Sequence, residues 1–456
     1  FAPAQPAPQQ TSGPTPAPPA WPPPTENASL ASTPENTEPP KRRRGLKIFI
    51  LALVGLVITV LVVVGIMWAL SQNTMAGLPP GVSASEQLVT SQDLSDFGAA
   101  GWTQVPDGQE VALPLCMNAE PSNTAAANRT DRRGFTATED ATQTAVHSVY
   151  TYADEANAAE AFSGRRSQAS SCSETTAQVI GYYEVSSVAD QAEAVTIYYQ
   201  AEPAATYHTV FFSRTGRVIS ILDISSPTGP VPPVSLATAT TPALNQLCAQ
   251  GEQGICPSTP GVVKIVPPTA DNRGWLAKAD LPRITNGAGV WDSTSPTTSL
   301  QSLGTQCEGD GFPVVSSAEE TLRSTYILGD DPNSPPSRAM GIDEVVYTFS
   351  DLDKAEKLVD KLINNISSCQ QPGSTATVEI GYPIQGAGLN SVPISGETYA
   401  VEQRKSENEV VRYRVAVVLT ANRMAYLMAN PTDSYDFSDA QWVAIALRAG
   451  ERLSQF

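Results

Sequence analysis

The stretch VVYTFSDLDKAEKLVDKLINNISSC (Val345 to Cys369) contains the two patterns that decide the fold. Apolar and aromatic side chains alternate from Val345 to Phe349, which is typical of a β-strand with one buried face. Apolar residues then recur at steps of three and four, as on one face of an amphipathic helix. Ser350 precedes Asp353 with the spacing of a capping box and is therefore the expected helix cap. The stretch predicts a strand, a capped helix and a cysteine, in that order.

A second copy of this pattern, SVYTYADEANAAEAFSGRRSQASSC, runs from Ser148 to Cys172. Its apolar stripe is weaker, and Asp154 is the expected cap of its helix. We expect Arg165 and Arg166 to lie on that helix as solvated charges. The repetition indicates that the chain contains two copies of one folding unit.

Further landmarks recur in the same order in both parts of the chain. The dipeptide DL precedes a tryptophan in SQDLSDFGAAGW and again in KADLPRITNGAGVW. Downstream, each part has an IGY triplet, two apolar runs around a short turn, and a helix-like tail. The expected turns are Thr215-Gly216 and Ala421-Asn422, and the tails begin at Ala243 and Asp439. This order predicts a tandem duplication, with units at 88–256 and 274–456.

Each unit reads as a strand, a helix, a run of strands and a final helix. We therefore expect an α+β fold in which each unit is a mostly antiparallel sheet packed by helices. The chain contains six cysteines, which allow many pairings in principle. The duplication selects one structural disulfide per unit, and the two remaining cysteines are expected to pair with each other. The expected pairs are Cys116–Cys172, Cys307–Cys369 and Cys248–Cys256.

The uncharged run from Ile48 to Leu70 predicts a single transmembrane helix, because it is long enough to cross a hydrocarbon layer of about 30 Å. A cleaved signal peptide is the competing interpretation, but its apolar region is usually shorter and lies at the N-terminus. The basic segment KRRRGLK stands directly before the run. The positive-inside rule then predicts a cell-membrane protein with a cytoplasmic N-terminus and an extracellular C-terminal part.

Three other segments are expected to lack a packed core. Residues 1–47 are Pro-rich and end in the basic stop, so we expect a disordered cytoplasmic segment that serves as a plain linker or as a docking strip. Residues 71–87 are expected to form a stalk, and residues 257–273 a Pro-rich linker between the units.

The composition excludes some functions and leaves few candidates for chemistry. A net charge of −18 argues against nucleic-acid binding, because a phosphate backbone would be repelled.

The chain has two histidines, so a Ser-His-Asp triad needs His147, expected at a strand edge, or His208, expected in a polar turn. The loop GDDPNS (Gly329 to Ser334) lacks the ligand rhythm of a calcium site and is expected to be solvated. We therefore predict no catalytic residue, no metal site and no cofactor.

Tyrosines on the predicted strands are the remaining candidates for a binding cleft, with core or cross-strand packing as the alternative. Their positions alone do not identify the ligand-binding residues, which stay unknown at this point. These tyrosines are Tyr182, Tyr183, Tyr198, Tyr199, Tyr382 and Tyr399.

The whole layout resembles the PknH-like extracellular sensor domains of actinobacterial membrane proteins and receptor serine/threonine kinases. The resemblance covers 88–256 and 274–456 and is carried by the DL…GW opening, the cysteine spacings, and the VYTY and VYTF strands that lead into a helix. It implies an extracellular domain that binds an unidentified ligand in a cleft. The chain differs from the simplest family pattern in having two units, and no kinase signature occurs in it.

We therefore expect a membrane protein, not an enzyme, whose tandem domains bind an envelope ligand or partner and signal to a cytoplasmic partner. A structural or assembly protein that uses the domains as protein-binding modules is the alternative. A third hypothesis is a cell-wall enzyme with paired carboxylates, although no spacing in the sequence singles out such a pair. A deep pocket would favour a small ligand, and an exposed apolar patch would favour a protein partner.

Overall fold

The computed structural model describes residues 87–97, 101–106, 109, 111–172, 177–200, 204–249, 254–268, 272–336, 339–369, 375–407, 409–432 and 435–456. All of these belong to one compact unit. Within these ranges no helix has the length and apolar character needed to cross a membrane. The predicted membrane helix at 48–70, the cytoplasmic segment 1–47 and all of the stalk except Gln87 lie outside the described residues.

The N-terminal half is an antiparallel sheet of eight strands within the described residues, in the order β1-β2-β3-β7-β6-β5-β4-β8. Its strands are β1 (Trp102–Gln104), β2 (Arg129–Ala137), β3 (Thr144–Thr151), β4 (Ala177–Ser186), β5 (Gln191–Tyr199), β6 (Thr206–Thr215), β7 (Val218–Ser226) and β8 (Gly261–Lys264). Its helices are α1 (Leu115–Asn118), α2 (Glu155–Ser170) and α3 (Pro233–Ala249).

The C-terminal half contains a seven-stranded antiparallel sheet in the described residues, in the order β12-β13-β14-β15-β11-β10-β9. Its strands are β9 (Val290–Ser293), β10 (Glu320–Gly329), β11 (Gly341–Thr348), β12 (Ala376–Ala387), β13 (Pro393–Ser406), β14 (Glu409–Thr420) and β15 (Arg423–Asn430). Its helices are α4 (Leu352–Ser367) and α5 (Asp439–Leu453).

The two sheets have the same strand order when one is read from β1 and the other from β9, apart from the additional β8. In each half, one helix packs on each face of the sheet. In the N-terminal half α2 contributes Phe162 to one apolar layer and α3 contributes Leu244 to the other. In the C-terminal half Leu362 of α4 and Trp442 of α5 have the same roles. The predicted α+β class with antiparallel sheets is therefore confirmed.

Three disulfides stabilise the loops around these helices. They join Cys116 to Cys172, Cys248 to Cys256 and Cys307 to Cys369, which is the predicted pairing. The first and third bonds connect the end of α2 or α4 to the loop that precedes the second strand of the same half. Each therefore anchors a long loop beside a helix.

The start of α4 differs from the sequence prediction by one residue. Asp351, not Ser350, is the N-cap, and its carboxylate accepts a hydrogen bond from the Lys354 amide at 3.0 Å. The Ser350 hydroxyl donates to Asp351 instead. A carboxylate is the stronger acceptor and also carries the charge that a helix N-terminus favours. In the other copy Asp154 caps α2, as predicted.

Part of the Pro-rich segment at 257–273, expected to be only a linker, forms strand β8. It pairs antiparallel with β4, with Tyr183 opposite Lys264 and Glu184 opposite Val263. The adjacent β-branched residues Val262 and Val263 favour an extended conformation, and β4 supplies unpaired backbone groups at the edge of its sheet. The linker thereby covers one sheet edge of the N-terminal half.

A buried cluster of charges joins the linker to the last helix of the chain. Arg452 on α5 forms two contacts with the Asp280 carboxylate, at 2.9 Å from Nε and 3.0 Å from Nη2. Arg448 lies 3.5 Å from Asp280 and 2.9 Å from Glu451, which also binds Lys264 of β8 at 2.9 Å. Because burying an unpaired charge is costly, these groups hold each other in place.

The same helix also reaches the sheet of the N-terminal half. Arg448 donates to the carbonyl oxygens of Val179 and Ile180 on β4, at 3.4 and 3.2 Å. These carbonyls lie at a β-bulge, where the regular pairing with β5 shifts by one residue. A second tie is reciprocal: Gln200 and Arg283 exchange side chain to backbone hydrogen bonds of 2.8 and 2.7 Å. The two halves are therefore fixed by polar groups as well as by packing.

Glu344 on β11 is a fully buried carboxyl next to this cluster. Its Oε2 accepts hydrogen bonds from the Tyr326 hydroxyl at 2.8 Å and from the Leu276 amide at 3.1 Å. Burial raises the pKa of Glu344 to about 7, although these hydrogen bonds act in the opposite direction. The folded chain therefore retains a proton on this group under mildly acidic conditions.

Removing the Asp280 carboxylate should strongly destabilise the chain. We expect Asp280→Ala to lower the free energy of unfolding by about 3–5 kcal/mol, because it leaves the buried Arg452 without its counter-charge. The matched control is Asp292→Ala, which breaks an exposed pair with Lys278 and should cost less than about 1 kcal/mol. Denaturant unfolding followed by tryptophan fluorescence measures both. Equal losses for the two variants would contradict the role assigned to the cluster.

Replacing Glu344 should change how stability depends on pH. The folded pKa of about 7 lies above the ordinary value of 4.5, so the folded chain binds more protons than the unfolded chain between these values. Wild-type stability should therefore fall as pH rises through this window, by up to about 3 kcal/mol from this group. Glu344→Gln should remove that slope in unfolding curves measured at several pH values. Identical pH profiles would refute the assignment.

Candidate functional site

An open groove runs along α4 in the C-terminal half and is called the α4 groove below. It lies between α4 and the loop that follows Cys307, with a volume of about 410 Å³. Its lining combines cationic, apolar and small polar side chains. They are Glu308, Asp310, Gly311, Phe312, Val314, Val315, Ser316, Ser317, Lys354, Lys357, Leu358, Lys361 and Leu362.

The loop side of the groove is held by a buried carboxylate. Glu308 is 1% exposed, and its Oε1 accepts a hydrogen bond of 2.6 Å from the Tyr426 hydroxyl. Its Oε2 accepts a hydrogen bond of 2.7 Å from the Thr305 amide. Burial, followed by the charge of Glu308, raises the pKa of Tyr426 well above its usual value. This tyrosine is therefore a hydrogen-bond donor at neutral pH and a support for the loop.

Further bonds connect the loop to the helix. Asn365 of α4 donates to the Glu308 carbonyl at 2.7 Å, and the disulfide of Cys307 lies beside it. The Tyr347 hydroxyl donates to the Pro313 carbonyl at 2.8 Å. The groove therefore does not need to be ordered by a ligand, which reduces the entropic cost of binding.

The helix side of the groove presents three lysines at the spacing of one helical face. Lys354 and Lys357 form exposed ion pairs with Asp351 and Asp353, at 3.4 and 2.5 Å. Lys361 has no ion partner among the described residues. Exposed pairs of this kind contribute little to stability, so an incoming anion can replace their carboxylates at small cost.

Apolar side chains complete the groove next to these charges. Val314 is 73% exposed on the loop, while Leu358 of α4 is buried beneath the lysines. Phe312 is half-buried and packs on Tyr426, with ring centroids 4.7 Å apart. The groove therefore offers a cationic rim beside an apolar floor.

The equivalent position in the N-terminal half is closed. Arg165 of α2, at the position of Leu362, is fully buried and donates to the carbonyls of Met117 and Ala119 at 2.6 and 2.5 Å. Its guanidinium also lies 5.0 Å from the ring centroid of Tyr150. The expectation that Arg165 is a solvated charge is wrong, because the two loop carbonyls and the ring replace water around it.

A glycine allows this closure. Gly164 occupies the position of Lys361, and a Cβ there would overlap the Pro121 side chain. The loop thus rests directly on α2, where the C-terminal half has a groove. Arg166, by contrast, is half-exposed and pairs with Glu193 at 2.9 Å.

His147 is inside the protein and not at a strand edge. It lies on β3 between β2 and β7, is fully buried, and its Nε2 is 2.7 Å from the Ser220 hydroxyl. Its Nδ1 accepts a hydrogen bond from the Val89 amide at 3.0 Å, so the proton is on Nε2 and is donated to Ser220. Burial lowers the pKa of His147 to about 3, with a further contribution from Arg133. This pair cannot act as a serine–base couple, because the base nitrogen facing the serine already carries its proton.

His208 lies in strand β6 and not in the predicted polar turn. Its Nδ1 is 2.9 Å from the buried carboxylate of Asp223 on β7. Burial disfavours the imidazolium, but the charge of Asp223 and its hydrogen bond outweigh burial and raise the pKa of His208. This pair ties two neighbouring strands together.

The six candidate tyrosines do not converge on one cleft. Tyr182, Tyr199 and Tyr399 are buried in the apolar layers beneath α2 and α4. Tyr198 stacks on Tyr207 across two strands, with centroids 4.7 Å apart. Tyr183 is half-buried, and Tyr382 is exposed on β12.

The loop at Gly329–Ser334 is less solvated than predicted. Asp331 is 6% exposed and accepts a 2.7 Å hydrogen bond from the Thr285 hydroxyl and a 2.8 Å bond from the Asn333 amide. The carboxylate thereby fixes a turn rather than facing water. In the described part of the chain, no three His, Cys, Asp or Glu side chains are arranged to hold a metal ion.

The structure brings a pair of carboxylates together on two neighbouring strands. Glu184 and Glu193 lie opposite each other on β4 and β5 and line a second groove of about 480 Å³. Glu193 accepts a hydrogen bond from Tyr182 and pairs with Arg166. Burial raises the pKa of Glu193. Tyr182 and Arg166 act in the opposite direction on this pKa and hold the Glu193 side chain in place.

The α4 groove was not predicted from the sequence, although a signal for it was present. When the two cysteines that end the copies are aligned, Lys354, Lys357 and Lys361 fall on Asn157, Glu160 and Gly164. The shared residues build the scaffold, and the lysines are what the second copy adds.

No protein-family model, no curated protein and no solved structure matches this chain. The chemistry of the α4 groove is therefore the basis for proposing a function.

Replacing Arg165 should open the closed groove. We expect Arg165→Leu, which copies Leu362, to release the Met117 and Ala119 carbonyls and to speed amide hydrogen exchange in residues 117–120 by at least about tenfold. The matched control is Arg166→Leu, which removes the neighbouring half-exposed charge and should leave this exchange unchanged. Equal exchange in both variants would show that Arg165 does not hold the loop.

Proposed function

We propose that this chain is a binding protein and that the α4 groove recognises a ligand with an anionic group next to an apolar part. The observation that carries the proposal is the difference between the halves. The same helix, loop and disulfide enclose a closed position at Arg165 and Gly164 but an open, preorganised groove at Leu362 and Lys361. The N-terminal half shows that this arrangement of helix, loop and disulfide can close. We therefore attribute the open groove of the C-terminal half to a ligand that binds there.

The charges of the groove define the ligand. The chain as a whole carries a net charge of −18, so a cationic rim is unusual for its surface. Lysine ammonium groups are strongly hydrated point charges that suit phosphate, carboxylate or sulfate groups. Val314 and Phe312 provide apolar surface within the same groove. Its volume of about 410 Å³ lies within the usual range of small-molecule sites.

Binding without catalysis is supported by the state of the titratable groups. Among the described residues, His147 is protonated on the nitrogen that faces Ser220, and Glu193 is paired with Arg166. Neither arrangement supplies an activated nucleophile or a free general base.

We further propose that the two halves arose by duplication of one sensor-like unit. Their equal strand order and their matching disulfides support this, together with the repeated sequence landmarks. The sequence resemblance to PknH-like sensor domains and the apolar run at 48–70 support an extracellular position behind a membrane helix. In such an arrangement, occupancy of the groove would be communicated to a cytoplasmic signalling partner.

A structural or assembly protein of the cell envelope is the second candidate. It is favoured by the exposed apolar side chains of β12, where Ile380 is 52% and Tyr382 is 57% exposed. Single exposed residues need no explanation, but two on one edge strand fit a protein partner.

The lysines of the groove provide the test. We expect the full chain in neutral nanodiscs to bind 1-naphthyl phosphate saturably in isothermal titration calorimetry. The double variant Lys357→Glu/Lys361→Glu should weaken binding by at least about fivefold, because each reversal replaces attraction by repulsion. Naphthyl glucoside, which keeps the rings but has no charge, should bind more weakly than the phosphate.

The control variant is Lys405→Glu, which reverses an exposed lysine outside the groove lining. It should leave the affinity for 1-naphthyl phosphate unchanged. No saturable binding by the wild-type chain, or equal losses for Lys405→Glu and the groove variant, would contradict the proposed function.

A further inference from the structure

A second open cleft lies between the edges of the two sheets and is called the edge cleft below. It has a volume of about 540 Å³. One wall is β8 with the residues that follow it, and the other is the end of β12 with the turn that leads to β13. The floor is formed by α5. The lining residues are Glu184, Val263, Lys264, Ile265, Val266, Gly386, Ala387, Gly388, Leu389, Asn390, Ser391, Leu447 and Glu451.

The β8 wall presents unpaired backbone groups to this cleft. The Ile265 amide donates to the Tyr182 carbonyl at 2.9 Å, and Val263 stands opposite Glu184. In an antiparallel pair, backbone groups alternate between the partner strand and the other side. The N–H and C=O groups of Val262 and Lys264 therefore point away from β4, on the side where the described residues place no further strand.

The β12 wall also presents unpaired backbone groups to the cleft, from the opposite side. The Gly388 amide donates to the Val392 carbonyl at 2.8 Å, and Gly386 stands opposite Ile394. By the same alternation, the backbone groups of Gln385 and Ala387 point away from β13. Pro383 belongs to the same outward-facing set, which is where a proline is tolerated in an edge strand.

Two sheet edges therefore line one cleft. An extended chain is the kind of ligand that satisfies such groups, because its own backbone pairs with an exposed edge. The structure contains an internal precedent. The segment Gly261–Lys264 is an extended stretch that covers the edge of β4 in this way.

The charges and apolar groups of the cleft restrict the peptide further. Glu184 is exposed at the cleft, while Lys264 is already bound by Glu451. Val263 is 63% and Leu389 is 37% exposed on opposite walls. The net charge of −18 also favours the approach of a basic partner.

We propose that the edge cleft binds an extended peptide segment that carries apolar and basic side chains on the same face, because Val263 and Glu184 stand opposite each other and share one face. The peptide pairs its backbone with Gln385 and Ala387 of β12 and lies across the cleft from β8. Its apolar side chains contact Val263 and Leu389, and a basic side chain faces Glu184. This proposal is independent of the α4 groove, which lies elsewhere in the C-terminal half.

The test uses the full chain and a matched pair of probes. One probe is an acetylated and amidated heptapeptide with valine and lysine taking turns at the odd positions and threonine at the even positions, so that valine and lysine share one face. The other has the same sequence and charge, but alternate backbone amides are N-methylated so that it cannot form a ladder. We expect the N-methylated peptide to bind at least about tenfold more weakly in fluorescence anisotropy. Hydrogen exchange should slow at Gln385–Ala387 when the first peptide is added.

A pair of protein variants tests whether the backbone of β12 forms the hydrogen bonds to the peptide. Ala387→Pro removes one outward N–H, whereas Ala387→Ser keeps it and changes only the side chain. The proline variant should weaken binding of the unmethylated peptide by several-fold, and the serine variant should leave it unchanged. If the proline variant does not fold, the comparison of the two peptides still decides the question.

Several outcomes would overturn the proposal. They are equal binding of the two peptides, protection of amides outside the edge cleft only, equal affinities of the two Ala387 variants, and no saturable binding up to about 1 mM. A dimer of the free chain that Ala387→Pro dissociates would identify a second copy as the occupant instead. Because Lys357→Glu/Lys361→Glu leaves the edge cleft intact, it should not change peptide binding, and the two sites can fail separately.

Discussion

The buried contact between Asp280 and Arg452 is the constraint on which the rest of the structure depends. It fixes the last helix of the chain to the segment between the two sheets, and neither charge can be exposed alone without a large desolvation cost. Arg448 extends the cluster to carbonyls of β4, and Lys264 connects it to β8. The distance between the two sheet edges is therefore set by ion pairs and hydrogen bonds rather than by a flexible joint. A cleft with fixed walls can select its ligand, whereas a hinge would adapt to many.

The two halves show how one scaffold can serve different purposes. Both α2 and α4 have an aspartate cap and a disulfide cysteine at the end. In each helix a side-chain amide, of Gln168 or of Asn365, donates to a loop carbonyl. The differences are concentrated on one face of the helix. In the N-terminal half, the buried Arg165 and the small Gly164 let the loop contact α2, which closes the position. In the C-terminal half, Leu362 and Lys361 stand at these places and the groove is open. The two halves therefore differ at the position where the C-terminal half has the α4 groove.

Local patterns predicted the strands around Tyr347, the helix that follows, the hairpins and the three disulfides, because each depends on residues close in sequence or on the repeat. The environment of individual polar side chains was not predictable in this way. His147 and Arg165 look like surface residues in sequence, and they are buried because Val89, Ser220, Met117 and Ala119 satisfy them from distant parts of the chain. Strand β8 was missed for the same reason: a short pair of valines among prolines becomes a strand only when a neighbouring edge is present. The α4 groove and the edge cleft are likewise products of tertiary structure.

The bond from Arg448 to the Ile180 carbonyl spans 268 residues of sequence, and this has a consequence for how the chain is made. Synthesis proceeds from the N-terminus at about 5–20 residues per second, so β4 exists for roughly 15 to 50 s before the arginine that covers its bulge has been added. During that interval the sheet of the first half has an open edge, which is the feature that promotes aggregation of nascent chains. β8 is made much earlier and covers part of this edge. The short strand β8 therefore pairs with β4 well before the helix that carries Arg448 has been made.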